Sequence, residues 1–370
     1  MRACETQSWP FTRMSSAIFS KKVDASISST VRSDASVFCD GGTVPSFAHN
    51  RTILSVLCII GAGNVVQHKL LPALAWLGVD LKGLRIYGTH DDPQYISTAG
   101  ARLTVSRHHP NQFADIVAST DLIPWLALPP INARRDLLDA CRERKVVCEK
   151  PVGTSRDDLK WLEENRDALV NTFVLSYYVQ ERLAPAFWLT GALKPPAILL
   201  TREVAHLEAG PDLVPRHAEL ILSETFVRTG GDTVSTWQQG DGIQEFAIHA
   251  PAILAGLGLA ADSCHRATNQ ILFTGPRSRA IVTRPGPNLK TLTITTENGT
   301  CYADGQNRTA RVTGGAAQSA SIYPACPPYV AVTAYVMEWL NGGSYCGDGT
   351  NQLHALRLLT HLQEKSSSRV

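Results

Sequence analysis

Residues 149–151, Glu-Lys-Pro, place a carboxylate and an ammonium directly after a short apolar segment. The segment 145–148 has the apolar character of a buried strand, so the two charges are expected at its carboxyl end. In open α/β sheets, ligands bind at the carboxyl ends of the strands. Lys150 could therefore hold a substrate oxygen or the ribose of a cofactor, or transfer a proton if burial lowers its pKa. A Lys–Glu pair on the surface is the purely structural alternative.

A glycine turn follows an earlier apolar run. Residues 53–60 are almost continuously apolar, which is typical of a strand covered on both faces, and Gly61-Ala62-Gly63-Asn64 comes next. The first glycine of such a turn allows a tight bend, and the second lets the backbone approach a pyrophosphate at a helix N-terminus. The pattern predicts cofactor binding by Gly61, Gly63, Asn64 and Val65. Val66 stands where G-x-G-x-x-G has its third glycine.

The choice between NAD and NADP depends on the end of the second predicted strand, residues 84–88. An acid placed there would bind the ribose 2′-hydroxyl of NAD. The sequence continues Thr89-His90-Asp91-Asp92, so the acids come one or two residues late. Both cofactors stay open, with a slight lean to NADP because His90 could face a 2′-phosphate. A solvated turn is the alternative for the two aspartates.

Strands and helices alternate through the first half of the chain. The pattern predicts helices over 68–77, 133–144 and 155–164, and strands over 84–88, 116–119, 122–128, 145–148 and 172–177. This alternation predicts a doubly wound parallel sheet, which is a Rossmann dinucleotide-binding domain, over residues 51–178.

The second half, residues 179–370, is predicted to form an α+β domain with an open, mainly antiparallel sheet that binds substrate and mediates dimerisation. Strand-like segments at 197–204, 265–273, 280–283, 291–296 and 308–312 are separated by short turns. Helices are expected over 243–257, 329–340 and 351–362. Residues 207–239 lack a clear period and are interpreted as an insertion near the cleft.

Composition excludes several classes of protein. Lys plus Arg is 35 and Asp plus Glu is 33 in 370 residues, so no charge excess favours nucleic acid or an anionic membrane. No apolar run approaches the roughly 20 residues of a membrane-spanning helix. Nine cysteines without a C-x-x-C pair indicate reduced thiols, no metal site and a cytoplasmic location. Residues 1–50 are Ser-rich without periodicity, which predicts a disordered extension, with a targeting segment or a wrongly chosen start codon as alternatives.

The order of the glycine turn, Leu128-Pro129-Pro130, a helix and Glu149-Lys150-Pro151 resembles the Gfo/Idh/MocA family of nicotinamide-dependent sugar and polyol oxidoreductases. The segment 178–186 is similar to the family's exit from the nucleotide domain, and the resemblance spans residues 52 to 365. It implies that Leu128, Pro129 and Glu149 contact the cofactor. It also implies that Lys150 lies in the catalytic site and that Tyr178 and Arg182 bind substrate.

The family's second catalytic element is a helix with an Asp and, four residues later, a His. Here the matching stretch carries Glu245 and His249, which share one helix face at this spacing. Both are therefore expected to be catalytic and to contact substrate. Glu245 replaces the Asp and Ala247 replaces a small Gly, which leaves Asp241 as a rival for the acid's role.

The resemblance implies hydride transfer between NAD or NADP and a secondary alcohol or ketone of a sugar, cyclitol or related molecule. His249 would transfer the hydroxyl proton, Lys150 would fix the oxygen and Glu245 would orient the pair, although Lys150 and His249 could exchange roles. The open sheet predicts a homodimer or homotetramer. A cofactor-sensing scaffold without turnover is the alternative. A glucose-6-phosphate-dehydrogenase-like enzyme fits less well, because Tyr177-Tyr178 stands where a His-Tyr pair is expected.

Overall fold

The computed structural model describes residues 57–128, 133–208, 213–225, 243–315, 317–343 and 349–367, with the side chains of Ala133, Glu245 and 363–367 outside this description. The predictions for residues 1–50, Pro129, Asp241 and the Glu245 side chain therefore fall outside the described residues. The boundaries predicted for the two domains stay a prediction.

A seven-stranded sheet occupies the first half of the described chain. Its strands are β1 (Leu57–Ile60), β2 (Arg85–Gly88), β3 (Tyr95–Thr98), β4 (Ala101–Arg107), β5 (Ile123–Leu126), β6 (Val146–Cys148) and β7 (Thr172–Val174). Their order is β3-β4-β2-β1-β5-β6-β7, and only β3 pairs antiparallel with its neighbour. Every residue of β1, β6 and β7 is buried, as expected for parallel strands covered on both faces.

Helices connect these strands. They are Val66–Leu70, which is a wide π-helical turn, Leu71–Trp76, Phe113–Ala118, Ala133–Ala140 and Arg156–Glu164, with short 3-10 turns at Leu81–Gly83, Pro110–Gln112 and Arg166–Leu169. The strand predicted over 116–119 is wrong, because this segment belongs to Phe113–Ala118. Phe113 and Val117 are both buried, four residues apart, which is the spacing of a helix face.

A nine-stranded sheet occupies the second half. Its strands are β8 (Ala205–Glu208), β9 (Pro215–Ser223), β10 (Ser263–Ala267), β11 (Gln270–Gly275), β12 (Ser278–Thr283), β13 (Leu289–Thr296), β14 (Gly299–Asp304), β15 (Thr309–Thr313) and β16 (Ser319–Ile322). Their order is β10-β11-β12-β9-β13-β14-β15-β16-β8, and all neighbours pair antiparallel except β12 and β9. The predicted fold class, a Rossmann domain followed by an α+β domain with an open antiparallel sheet, is confirmed.

The helices of the second half include one more wide turn. They are the π-helical turn Tyr178–Arg182, then Ala184–Leu189, Ala197–Thr201, Ile243–Ala247, His249–Gly256, Val330–Leu340 and Gly349–Ser367. The strand predicted over 197–204 is wrong: a helix begins after Pro196, whose fixed φ suits a helix start, and the strand begins only at Ala205.

Two further sequence predictions need correction. The segment 265–273 is not one strand but the end of β10, a turn at 268–269 and the start of β11. The stretch 207–239, interpreted as an insertion, contains β9, which lies between β12 and β13. Ala218, Leu220 and Leu222 alternate as its buried face, a period-two signal that the sequence does carry. Within the described ranges, no helix is both long and apolar enough to cross a membrane.

Candidate active site

A cavity of about 680 Å³ opens beside the carboxyl ends of β1, β5 and β6. Because these strands are adjacent and parallel, the segments that follow them meet at one edge of the sheet. The described lining residues are Gly63, Asn64, Val65, Lys69, Ala127, Leu128, Glu149, Lys150, Tyr177, Tyr178, Arg182, Glu224, Phe246, His249, Arg284, Lys290, Pro328 and Tyr329.

The glycine turn has the geometry that a bound pyrophosphate requires. Gly61 has φ +107°, and a Cβ there would lie 2.8 Å from the Ala127 carbonyl oxygen, so only glycine fits without strain. A Cβ on Gly63 would meet nothing within 4 Å, which leaves the backbone approachable from the cavity. The wide turn Val66–Leu70 follows shortly after Gly63. Val66, which stands at the position of the third glycine, is fully buried and packs into the core. The residues present therefore fit a dinucleotide.

Arg134 ties the neighbouring strand ends together. Its side chain is buried and donates hydrogen bonds to the carbonyl oxygens of Leu128 and Pro151, and to that of Glu149 at 2.9 Å. One guanidinium thus fixes the backbone after β5 and on both sides of Lys150. Arg134 does not line the cavity, so it positions residues that do.

Glu149 points inward rather than pairing with Lys150 on the surface. Its side chain is 8% exposed, and its Oε1 accepts a 3.0 Å hydrogen bond from the Tyr329 hydroxyl. Burial raises the pKa of Glu149, while Lys150 and the Tyr329 hydrogen bond act in the opposite direction. A surface Lys–Glu pair, the structural alternative, is therefore excluded.

Lys69 adds a second lysine to this part of the cavity. Its Nζ lies 5.2 Å from the ring centroid of Tyr177 and 5.4 Å from that of Tyr329, both within cation–π range. Burial lowers the pKa of Lys69, Glu149 raises it and Lys150 lowers it further. The wide turn Val66–Leu70 carries Lys69, and π-helical turns of this kind are frequent at functional sites.

His249 also lines the cavity. It is 3% exposed, its ring lies 4.3 Å from that of Tyr178, and its Nδ1 is buried without a hydrogen-bond partner among the described residues. Burial, then Lys150 and Lys69, lower the pKa of His249 well below 6.5. The imidazole is therefore neutral at neutral pH.

The cavity brings most of the predicted site residues together. Gly63, Asn64, Val65, Leu128, Glu149, Lys150, Tyr178, Arg182 and His249 all line it. Gly61 begins the glycine turn but is not among the lining residues. Glu245 belongs to the helix Ile243–Ala247, and its side chain is not described.

His90 is a predicted cofactor-binding residue that does not line the cavity. It is exposed after β2, where Arg107 donates a 3.4 Å hydrogen bond to its carbonyl oxygen. Asp92 accepts hydrogen bonds from the Thr89 backbone N–H at 2.6 Å and from its hydroxyl at 3.1 Å. The carboxylate of Asp92 and the guanidinium of Arg107 thus both lie at the end of β2.

Sequence reasoning missed several lining residues. These are Lys69, Ala127, Tyr177, Glu224, Phe246, Arg284, Lys290, Pro328 and Tyr329. The first three adjoin residues that the motifs singled out. Phe246 lies within the stretch from Glu245 to His249. The remaining five come from parts of the second half where no motif pointed to them.

Comparison with known proteins gives fold-level similarity only. No protein-family model matches the chain, and no curated protein matches its sequence significantly. Among solved structures, an NAD binding oxidoreductase from Klebsiella pneumoniae superposes with TM-score 0.58 at 14% identity, covering 85% of this chain and 97% of that one. A Gfo/Idh/MocA family oxidoreductase from Vibrio cholerae gives 0.54 at 13% identity, covering 85% and 98%.

A third neighbour was solved with ligands. Levoglucosan dehydrogenase, in complex with NADH and levoglucosan, superposes with TM-score 0.56 at 12% identity, covering 85% of this chain and 97% of that one. The resemblance expected from the glycine turn and Glu149-Lys150-Pro151 is thereby confirmed at the level of the fold, which the chain shares with a Gfo/Idh/MocA family oxidoreductase.

Proposed function

We propose that the chain is an NAD(P)-dependent oxidoreductase that transfers a hydride to or from a secondary alcohol or ketone of a sugar, cyclitol or related small molecule. The observation that carries this proposal is the meeting of Gly63, Lys150 and His249 in one cavity, although they belong to three separate elements. A pyrophosphate-accepting turn beside a lysine and a neutral imidazole is suited to alcohol–ketone interconversion on a nicotinamide.

The cofactor would be held by residues at the strand ends. Gly61 to Val65 would hold the pyrophosphate, Leu128 would contact the nicotinamide side, and Glu149 and Lys150 would contact the adjoining ribose. When bound, the nicotinamide accepts or supplies the hydride at C4.

In this proposal the side chains of the protein transfer the proton. In oxidation, His249 accepts the substrate's hydroxyl proton, the C–H bond breaks with its electron pair leaving as hydride, and a C=O bond forms. The lowered pKa of His249 keeps the ring unprotonated and ready to accept. The Lys150 ammonium donates a hydrogen bond to the same oxygen, which becomes more negative as its proton leaves. Reduction reverses these steps, and exchanged roles for Lys150 and His249 stay the alternative.

NAD(H) is the better supported cofactor. The Klebsiella neighbour is named as NAD binding, and levoglucosan dehydrogenase was solved with NADH. The lean to NADP drawn from His90 has no support from these neighbours. A sugar substrate is favoured by the levoglucosan complex.

Assembly through the second sheet is also proposed. Ile221 on β9 and Tyr302 on β14 are 41% and 40% exposed on the open face of this sheet. Such a face suits a homodimer or homotetramer. Light scattering during gel filtration would give the mass directly, and a monomer at micromolar concentration would contradict this proposal.

Fluorescence titration with NADH and with NADPH tests the function. Saturable binding by the wild-type protein, weakened in Lys150→Ala but not in the exposed-lysine control Lys160→Ala, is expected. Turnover would then be screened with sugars and keto-sugars, where His249→Gln should bind cofactor but lose rate. Cofactor binding without any turnover would favour the sensing or scaffold alternative. A folded wild-type protein that binds neither cofactor would overturn both.

A further inference from the structure

The cavity is lined by more positive than negative side chains. Among its described lining residues, the bases are Lys69, Lys150, Arg182, Arg284 and Lys290, and the acids are Glu149 and Glu224. His249 adds no charge at neutral pH. A neutral sugar does not call for such an excess, because charges buried without a counter-charge are costly.

Part of this excess is concentrated at one end of three adjacent strands of the second sheet. In the register of the sheet, Ser223 at the end of β9 lies between Thr283 of β12 and Leu289 of β13. Glu224 and Arg284 directly follow the first two of these positions. Because β13 runs antiparallel to β9, Lys290 pairs with Leu222, one position further into the sheet, and all three residues line the cavity.

Glu224 forms an ion pair with Arg284. Its Oε1 lies 3.3 Å from a guanidinium nitrogen of Arg284, and both side chains are mostly shielded from solvent. The carboxylate of Glu224 thus neutralises the charge of Arg284.

Arg182 and Lys290 have no carboxylate within ion-pair distance among the residues described. Lys290 is 8% exposed, and its Nζ donates to the amide oxygen of Asn288. The Arg182 guanidinium lies near the carbonyl oxygens of Gly305 at 3.5 Å and Gln306 at 3.4 Å and 5.3 Å from the ring centroid of Tyr177. Its Nε is buried without a hydrogen-bond partner among the described residues. Both cations are therefore hydrogen-bonded by neutral acceptors, and Glu224, which acts on Lys290 from beyond ion-pair distance, is already paired with Arg284.

The two cations are close to each other. The Gly305 N–H donates to the Lys290 carbonyl oxygen at 2.7 Å, while the Gly305 carbonyl faces the Arg182 guanidinium. Arg182 also lowers the pKa of Lys290, after the larger effects of burial, which lowers it, and Glu224, which raises it. Two neighbouring cations of this kind are stabilised when an anion binds both.

We propose that Arg182 and Lys290 form an anion subsite, so that the substrate is a sugar derivative or related alcohol carrying a carboxylate or a phosphate. This proposal rests on the proposed function, because it concerns the substrate of that same cavity. The cofactor's pyrophosphate is expected instead at Gly61 to Asn64, which follow β1 of the first sheet, whereas Arg182 and Lys290 contact the turn after β14 in the second. The Lys150 ammonium and the His249 imidazole would then face the reacting carbon, while the bound anion would fix the far end of the substrate.

Calorimetric titration of the NADH-saturated protein tests this subsite. The probes are D-glucuronate and D-glucose 6-phosphate, with D-glucose as their uncharged match and inorganic phosphate as the smallest anion. At least one anion should bind about tenfold more tightly than D-glucose, since a charge-assisted pair of hydrogen bonds contributes that much. Preference for D-glucuronate would assign a carboxylate, and preference for the phosphates would assign a phosphate.

Substitutions locate the site. Arg182→Met and Lys290→Met should each abolish the preference for anions while still binding NADH, and the exposed-lysine control Lys194→Met should keep it. Equal binding of charged and uncharged probes, absence of anion binding, or a preference that survives both substitutions would overturn the proposal. Failure of the wild-type protein to bind NADH is a different result: it contradicts the proposed function, and the same anions can still be titrated into the free protein.

Discussion

The hydroxyl of Tyr329 donates a 3.0 Å hydrogen bond to Oε1 of Glu149, although the two residues are 180 positions apart. Both side chains are buried. Tyr329 has φ 73° and directly precedes the helix Val330–Leu340, so one bond joins the strand end that carries Lys150 to the start of a helix in the second half. Tyr177 stacks on Tyr329 with ring centroids 5.0 Å apart and completes this contact.

Tyr329→Phe should therefore destabilise the protein. The substitution keeps the ring but leaves the Glu149 carboxyl buried without its donor, which costs about 1–3 kcal/mol. Urea denaturation would measure the free energy of unfolding. Tyr302→Phe, at a 40% exposed position, is the matched control and should change it by less than about 0.5 kcal/mol. Equal losses of unfolding free energy in the two variants would show that the hydrogen bond to Glu149 stabilises the protein no more than an exposed tyrosine hydroxyl does.

The ion pair between Glu181 and Arg308 supports the same helix start. Its atoms lie 2.7 Å apart with side chains 0% and 7% exposed, and Glu181 Oε2 also accepts from the Ala331 N–H at 2.8 Å. Arg308→Met would leave a buried carboxylate without its cation and should cost about 3–5 kcal/mol. Glu181→Gln together with Arg308→Met should recover part of that loss, as measured by a double-mutant cycle. Simple additivity of the two losses would contradict this.

Local patterns were enough to predict the first half of the site. The apolar run before Gly61 and the charged residues after β6 each carry a signal within about ten residues, and parallel strands bring their ends to one edge. The single helix predicted over 243–257 is divided at Ile248 into Ile243–Ala247 and His249–Gly256, so His249 begins a second helix rather than sharing one with Glu245.

The second half of the site could not be predicted in this way. Tyr329 contacts Glu149, and Arg284 contacts Glu224, only through pairings set by the complete fold. A lysine such as Lys290 at the start of an antiparallel strand looks like any solvated charge in the sequence. Its burial follows from the position of β13 beside β9, the strand that was interpreted as an insertion.

Stability should respond to pH through His249. Because burial lowers its pKa below 6.5, the unfolded chain binds a proton at pH values where the folded chain does not. This contribution to stability is complete above pH 6.5 and is lost as the pH falls towards the folded-state pKa. The wild-type protein should lose up to about 1.4 kcal/mol per pH unit below that point through this residue.

His249→Gln removes that dependence. Urea denaturation at a series of pH values should show the wild-type advantage over His249→Gln shrinking as the solution is acidified. The exposed-histidine control His265→Gln should follow the wild-type curve. Parallel curves for wild type and His249→Gln would mean that the imidazole is not kept neutral by burial in the folded protein.

Gly63 offers a steric test of the cofactor's position. A Cβ there would meet no atom within 4 Å, so Gly63→Val should fold with nearly wild-type stability. The added methyl groups would occupy the space in which the pyrophosphate is expected, and the affinity for NADH should fall at least about tenfold. Gly83→Val is the control, because a Cβ there also meets nothing within 4 Å and Gly83 is remote from the cavity lining. Unchanged NADH affinity in Gly63→Val would place the pyrophosphate elsewhere, since no cofactor could approach this backbone with the valine present.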